Sequence, residues 1–137
     1  MEDNFKFFTE IEVRISDINY GGHLGNDRYL SIFHDARIRF LKQLGCSEGD
    51  IGNGVGLTMS EAQVNFKAEA FLGDVLRIGV QITEIKPVKF LMEYIIERPS
   101  DNKLIATGYT RMVGYDYRNK KVCSLPQEFV DKLTIKT

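Results

Sequence analysis

The chain has 137 residues, of which 43% are hydrophobic and 27% charged; the length fits one domain, 1–137, with a real core, and the composition excludes a disordered chain or a fibre. A formal net charge of -1 supplies no overall basic field, which argues against nucleic acid or an anionic membrane surface as partner. The start "MEDNFKFFTE" lacks the basic-then-apolar order of a secretory signal, and no window approaches a bilayer-spanning run, so the expected location is cytoplasmic.

Phe5, Phe7, Ile11, Val13 and Ile15 alternate with polar residues and predict a half-buried strand. The stretch "SDINYGGHLGND", Ser16 to Asp27, follows, with more polarity and backbone freedom than a turn requires. Tyr29, Phe33, Ala36, Phe40 and Leu44 then recur at helical spacing, widened by Leu30 and Leu41. Asn26 is the expected cap of this helix, Asp27 complements its dipole, and Gly45 supplies a left-handed stop. A glycine-rich connection, "CSEGDIGNGVG", comes next; its Cys46 and the distant Cys123 lack metal-ligand spacing and read as reduced, structural thiols.

Alternation returns in Ala62, Val64, Phe66, Ala68 and Ala70, then in Leu76, Ile78, Val80 and Ile82 after the turn "FLGD". Phe90, Met92, Tyr94 and Ile96 predict a further strand, and "LIATGYTRMVGYDY" the longest. "RNKK" turns into a short final pairing, and Leu125 to Leu133, with Pro126 near its start, reads as a closing helix. One strand, a long helix and then strands joined by short turns predict an α+β domain, an antiparallel sheet curled around one long central helix. Such a sheet leaves an edge and a face to be managed, which predicts pairing with a second copy.

The segments "VRISDIN", "GGHLGN", "YLSIFHDARIRFLKQLG" and "VNFKAEAFLGDVLRIGVQI", in that order, resemble the hotdog-fold acyl-CoA thioesterases, the 4-hydroxybenzoyl-CoA thioesterase-like group. The likeness runs to "ATGYTRMVGYDYRNKKVCSLP", nearly the whole chain. It implies a hotdog fold, homodimers or homotetramers with active sites between subunits, acyl-CoA thioesters as substrates, and neither a metal nor a cofactor beyond the coenzyme A that the substrate carries. Where many relatives have two acids as Asp-x-Asp, with the second catalytic, this chain has Asp17 and Asn19. Asn19 cannot act as a base, although it can orient a water or the thioester oxygen.

Thioester hydrolysis needs a donor for the carbonyl oxygen and a group that activates water. Free amides from Gly22 to Asn26, at the positive end of the helix, suit the first task, with Tyr20, Gly21, Gly22, Leu24 and Asn26 as the expected substrate-binding residues. Three residues compete for the second. His23 matches the histidine of the family's "HVNN" turn, and an imidazole can in general act as acid or base near neutral pH. Asp35 falls where relatives often carry an acid, but stands four residues from Arg39. Glu69 falls near a strand glutamate of the plant acyl-carrier-protein thioesterases. Asp17 is expected mainly to bond amides across the turn. Lys67, Lys86, Lys89 and Arg111 could neutralise coenzyme A phosphates, though surface lysines need no ligand to explain them.

Two other readings compete with hydrolysis. "DINYGGH" echoes the Asp-x-Asn-Pro-x-His motif of the (R)-specific enoyl-CoA hydratases, with the histidine one residue late and Tyr20 in place of proline. Asn19 in the acid's place also fits a non-catalytic acyl-CoA-binding protein.

Overall fold

The structure is a computed structural model and describes residues 5–136. The elements are β1 (Phe7–Glu12), α1 (Tyr29–Gln43), β2 (Gly56–Phe66), β3 (Val75–Thr83), β4 (Lys89–Arg98), β5 (Lys103–Asp116), β6 (Lys121–Val122) and α2 (Gln127–Lys136). All pairings are antiparallel, in the order β1-β3-β4-β5-β2 with β6 paired to β5. This is the hotdog arrangement, a curled sheet around a long helix.

The alternation of β3 survives intact because the strand presses one face on α1, as β4 also does, although β4 buries Leu91 and Ile95 on its opposite face too. Leu76, Ile78, Val80 and Ile82 are buried, as are Phe90, Met92, Tyr94 and Ile96. From α1 they meet Ile32, Phe33, Ala36, Phe40 and Leu41, and each such large side chain contributes about 1.5–3 kcal/mol on burial. Phe33 stacks on Tyr94 at 4.2 Å with the rings 6° from parallel. That approach requires Gly108, where a Cβ would collide with the Gln63 carbonyl and lie 2.7 Å from the Phe33 ring. Gly45 adopts φ 76° just past α1, the expected left-handed stop. Phe129 and Leu133 of α2 close the core at its other end.

One charged side chain lies inside this core. Arg37 of α1 donates to Glu48 Oε2 at 2.6 Å and to the Tyr94 hydroxyl at 3.1 Å. Tyr94 in turn shares a hydrogen bond of 2.8 Å with Thr110, and His34 lies 2.8 Å from Glu48 Oε1. The network joins α1 to the centre of the sheet and pairs the buried charge of Arg37 with Glu48.

Four expectations are corrected. Ile15 is 73% exposed, because a 3-10 turn at Ile15–Asp17 ends the strand pattern before it. Asn26 does not cap α1: a 3-10 turn, Asn26–Arg28, precedes the helix, with Gly25 before it and no side-chain cap. β2 starts at Gly56, inside the stretch read as a connection, and ends at Phe66, short of Ala68 and Ala70. Its face was expected to be buried, yet Met59 is 44% and Phe66 54% exposed, because β2 forms an edge of the sheet that overhangs α1.

Candidate active site

The segment from Val13 to Tyr29 is laced to the chain beyond β2. Gly73 donates to the Val13 carbonyl at 2.9 Å, and Leu24 to the Ala70 carbonyl at 2.8 Å. Within the turn, the Asp17 carboxylate accepts the Arg14 amide at 2.9 Å and its carbonyl accepts the Gly25 amide at 3.0 Å. Asn19 Oδ1 accepts the amides of Gly21 at 2.9 Å and His23 at 3.4 Å. Two N–H donors on one atom assign it as the oxygen and make an Asx turn, with Gly22 at φ 88° where a side chain would be strained.

This bonding narrows the expected oxyanion site. The amides of Gly22, Leu24 and Gly25 are spent on carbonyls, and that of His23 on Asn19. Among the described residues, the unpartnered amides at the helix entrance are those of Asn26 and Asp27. Asn26 stays in the expected place while the glycines leave it, since they build the turn rather than face a ligand.

The turn and the segment after β2 enclose an open cleft of about 870 Å³, lined by Asn19, Tyr20, His23, Leu24, Asn26 and Asp27 on one side and by Phe66, Lys67, Ala68 and Glu69 on the other, with Tyr29 between them. Here His23 Nε2 lies 3.3 Å from Glu69 Oε2, while Nδ1 lies 3.2 Å from the Leu24 carbonyl. The contact of Nδ1 with the Leu24 carbonyl is a hydrogen bond, while that of Nε2 with Glu69 is a close approach at ion-pair distance. The Glu69 carboxylate thus sits beside the imidazole, with its side chain 63% exposed to the open cleft. The Tyr29 ring packs edge-on against Phe66 at 4.9 Å; burial pushes its phenol above the ordinary range, and the charge of Glu69 adds to that.

Other expected residues fall elsewhere. Asp35 pairs with Arg39 at 2.6 Å and, with Asp17, lines a separate charged depression beside β1. Gly21 and Gly22 are exposed and absent from the cleft lining. Leu24 is 2% exposed and belongs to the core, so its side chain supports the wall from behind. The Asn19 oxygen is committed to the turn, which leaves its NH2 group as the part free to meet a ligand. Asp27, Tyr29, Phe66 and Ala68 also line the cleft although the sequence pattern marks none of them as site residues, as does Lys67, expected only as a phosphate partner. Only the joining of the turn to Ala70 brings them in, and that bond has no local signature. Among the described residues, no group of His, Cys, Asp or Glu side chains forms a metal-ligand set, and no helix is long and apolar enough to cross a membrane.

Comparison with known proteins bears on the family and the fold. The chain is similar to the long-chain acyl-CoA thioesterase FadM of Escherichia coli, with 22% identity over 91% of this chain and 95% of that protein. It is 27% identical to a 1,4-dihydroxy-2-naphthoyl-CoA hydrolase of Synechocystis, over 88% of this chain and 89% of the relative. Among solved structures, a Synechocystis 1,4-dihydroxy-2-naphthoyl-CoA thioesterase superposes with a TM-score of 0.84 at 25% identity, covering 93% of this chain and 95% of that one. A Staphylococcus aureus protein in complex with CoA shares the fold, with a TM-score of 0.86 at 21% identity over 95% of this chain and 82% of the other. The profile of the thioesterase-like superfamily matches residues 13–133, and the chain belongs to that family.

Proposed function

We propose that this protein hydrolyses acyl-CoA thioesters to a free acid and coenzyme A, the latter entering only as part of the substrate and no further cofactor taking part. One observation carries the reading: a carboxylate beside an imidazole, Glu69 at 3.3 Å from His23, shares a cleft with the unpartnered amides of Asn26 and Asp27. Glu69 takes a proton from water as its oxygen attacks the thioester carbonyl. The two amides receive the developing oxyanion, a role in which one donor is typically worth about 10²–10³ in rate. Collapse breaks the C–S bond, and the departing thiolate takes up a proton. Asn19 and Asp17 hold the turn that places these groups.

The assembly that suits this site is a homodimer. The overhanging inner face of β2, with Met59, Ala62 and Phe66 exposed, and the exposed Leu30 and Ile38 of α1 offer apolar surface for a second copy to cover. The strand also offers an unpaired backbone edge, and Phe66 places that surface at the cleft. The expected compartment is the cytoplasm, where Cys46 and Cys123, both free, stay reduced. The test is release of free thiol from short, long, branched and aromatic acyl-CoAs, with the mass in solution measured by light scattering. No thiol from any ester overturns the hydrolase reading, and a monomer overturns the dimer.

A further inference from the structure

Tyr29 differs from the other buried tyrosine of the core. The hydroxyl of Tyr94 is saturated by Thr110 at 2.8 Å and Arg37 at 3.1 Å. Tyr109 and Tyr117 likewise spend theirs on Glu61 and on the Leu57 carbonyl. Tyr29 is only 3% exposed, yet its hydroxyl has no partner among the described residues, and the residue lines the cleft. Tyr29 follows directly on the turn that carries the free amides of Asn26 and Asp27 and lines the same cleft as they do. Burial and the neighbouring charge of Glu69 keep the phenol in its neutral, donating form.

In the open cleft, water can satisfy such a hydroxyl. An acyl group seated beside the amides expels that water, and a plain hydrocarbon then leaves the phenol unpaired. A site with a donor waiting in this way discriminates strongly against ligands that lack the acceptor. We propose that Tyr29 is a specificity-determining residue that donates to a hydroxyl or oxo oxygen carried close to the thioester carbonyl, so that the preferred substrates are oxygenated acyl-CoAs. The inference rests on the hydrolase reading and deepens it. The Phe66 ring, edge-on to Tyr29 at 4.9 Å and half exposed, supplies an apolar wall for the carbon skeleton next to that oxygen.

The experiment compares matched esters, benzoyl-CoA with 2-hydroxybenzoyl-CoA and butyryl-CoA with 3-hydroxybutyryl-CoA, on the wild type and on Tyr29→Phe. The phenyl ring keeps the contact with Phe66, and an unchanged melting curve checks the fold. Thiol release gives kcat/KM, and calorimetry gives the affinity for each ester. The wild type is expected to favour the oxygenated member of each pair by about tenfold or more. Tyr29→Phe is expected to bring the ratio within about threefold, mainly by losing turnover of the oxygenated ester. Equal ratios in the two proteins overturn the inference and mean that a partner subunit or water satisfies the phenol. A wild-type preference for the plain esters overturns it as well. If the wild type releases no thiol from any ester, the hydrolase reading has failed, and the affinity ratio alone then decides the role of Tyr29.

Discussion

His23 and Glu69 meet across the cleft, Nε2 to Oε2 at 3.3 Å, although one belongs to the turn before α1 and the other to the segment after β2. The Glu69 side chain is 63% exposed, so solvent screens the pair and it adds little to stability. Under the proposed mechanism its value lies in catalysis. Glu69→Gln is therefore expected to shift the melting temperature by no more than about 2 °C. In the same variant kcat falls by about 10²–10⁴, the usual worth of a positioned base. Thermal unfolding and thiol-release kinetics on one preparation check both halves.

Asn19 stands where relatives carry an acid, and its oxygen anchors the amides of Gly21 and His23. A carboxylate accepts the same two bonds, so Asn19→Asp is expected to fold and to keep measurable turnover. Asn19→Ala removes both acceptors and is expected to cost about 1–2 kcal/mol in stability. It also lowers kcat, because the backbone of His23 loses its tether. Urea titration of the two variants separates these outcomes.

The buried network sets an acid limit on stability. Burial alone raises the carboxyl of Glu48, but hydrogen bonds and charges from Arg37 and His34 outweigh it and hold the group below the ordinary glutamate range. A depressed folded value means that this stabilisation is complete above the unfolded pKa and is lost as pH falls through the folded one. Glu48→Gln leaves the buried charge of Arg37 without its counter-ion and is expected to cost roughly 3 kcal/mol at neutral pH. The gap between wild type and variant should narrow below about pH 4, as seen in denaturant midpoints measured across the acid range.

Gly108 is the point of closest approach between helix and sheet. An alanine there pushes its Cβ into Phe33 and the Gln63 carbonyl, which shifts either the stacked ring or the pairing of β2 with β5. Gly108→Ala is expected to destabilise by about 1–3 kcal/mol. Gly73→Ala, with open space at its Cβ but φ 85°, tests backbone strain alone and is the useful comparison in chemical denaturation.

Much of this architecture was legible from pattern, for reasons visible in the residues. α1 and β3 each turn a single face to one core, so their helical or alternating periods survive in the sequence, while β4 keeps its inward alternation of Phe90, Met92, Tyr94 and Ile96 despite the buried Leu91 and Ile95 between them. β2 was only half legible. Its first residues lie among glycines, a bulge between Met59 and Glu61 breaks the alternation, and its apolar face overhangs the helix. At the site, His23, Glu69 and Asn26 were readable as chemistry. Their convergence was not, because it depends on Leu24 bonding to Ala70, a long-range link without a local trace. Tyr29 was read as part of the apolar stripe; the stripe placed its ring, but nothing in the pattern revealed that its hydroxyl lacks a partner.

The most direct test is a double-mutant cycle in kcat for thiol release, comparing the wild type with His23→Gln, Glu69→Gln and the doubly substituted protein. If the imidazole works by holding the carboxylate, the double variant is about as slow as the slower single one, because the two residues act as a unit. Additive losses, or a Glu69→Gln enzyme that retains full turnover, would contradict the assignment of catalysis to this pair.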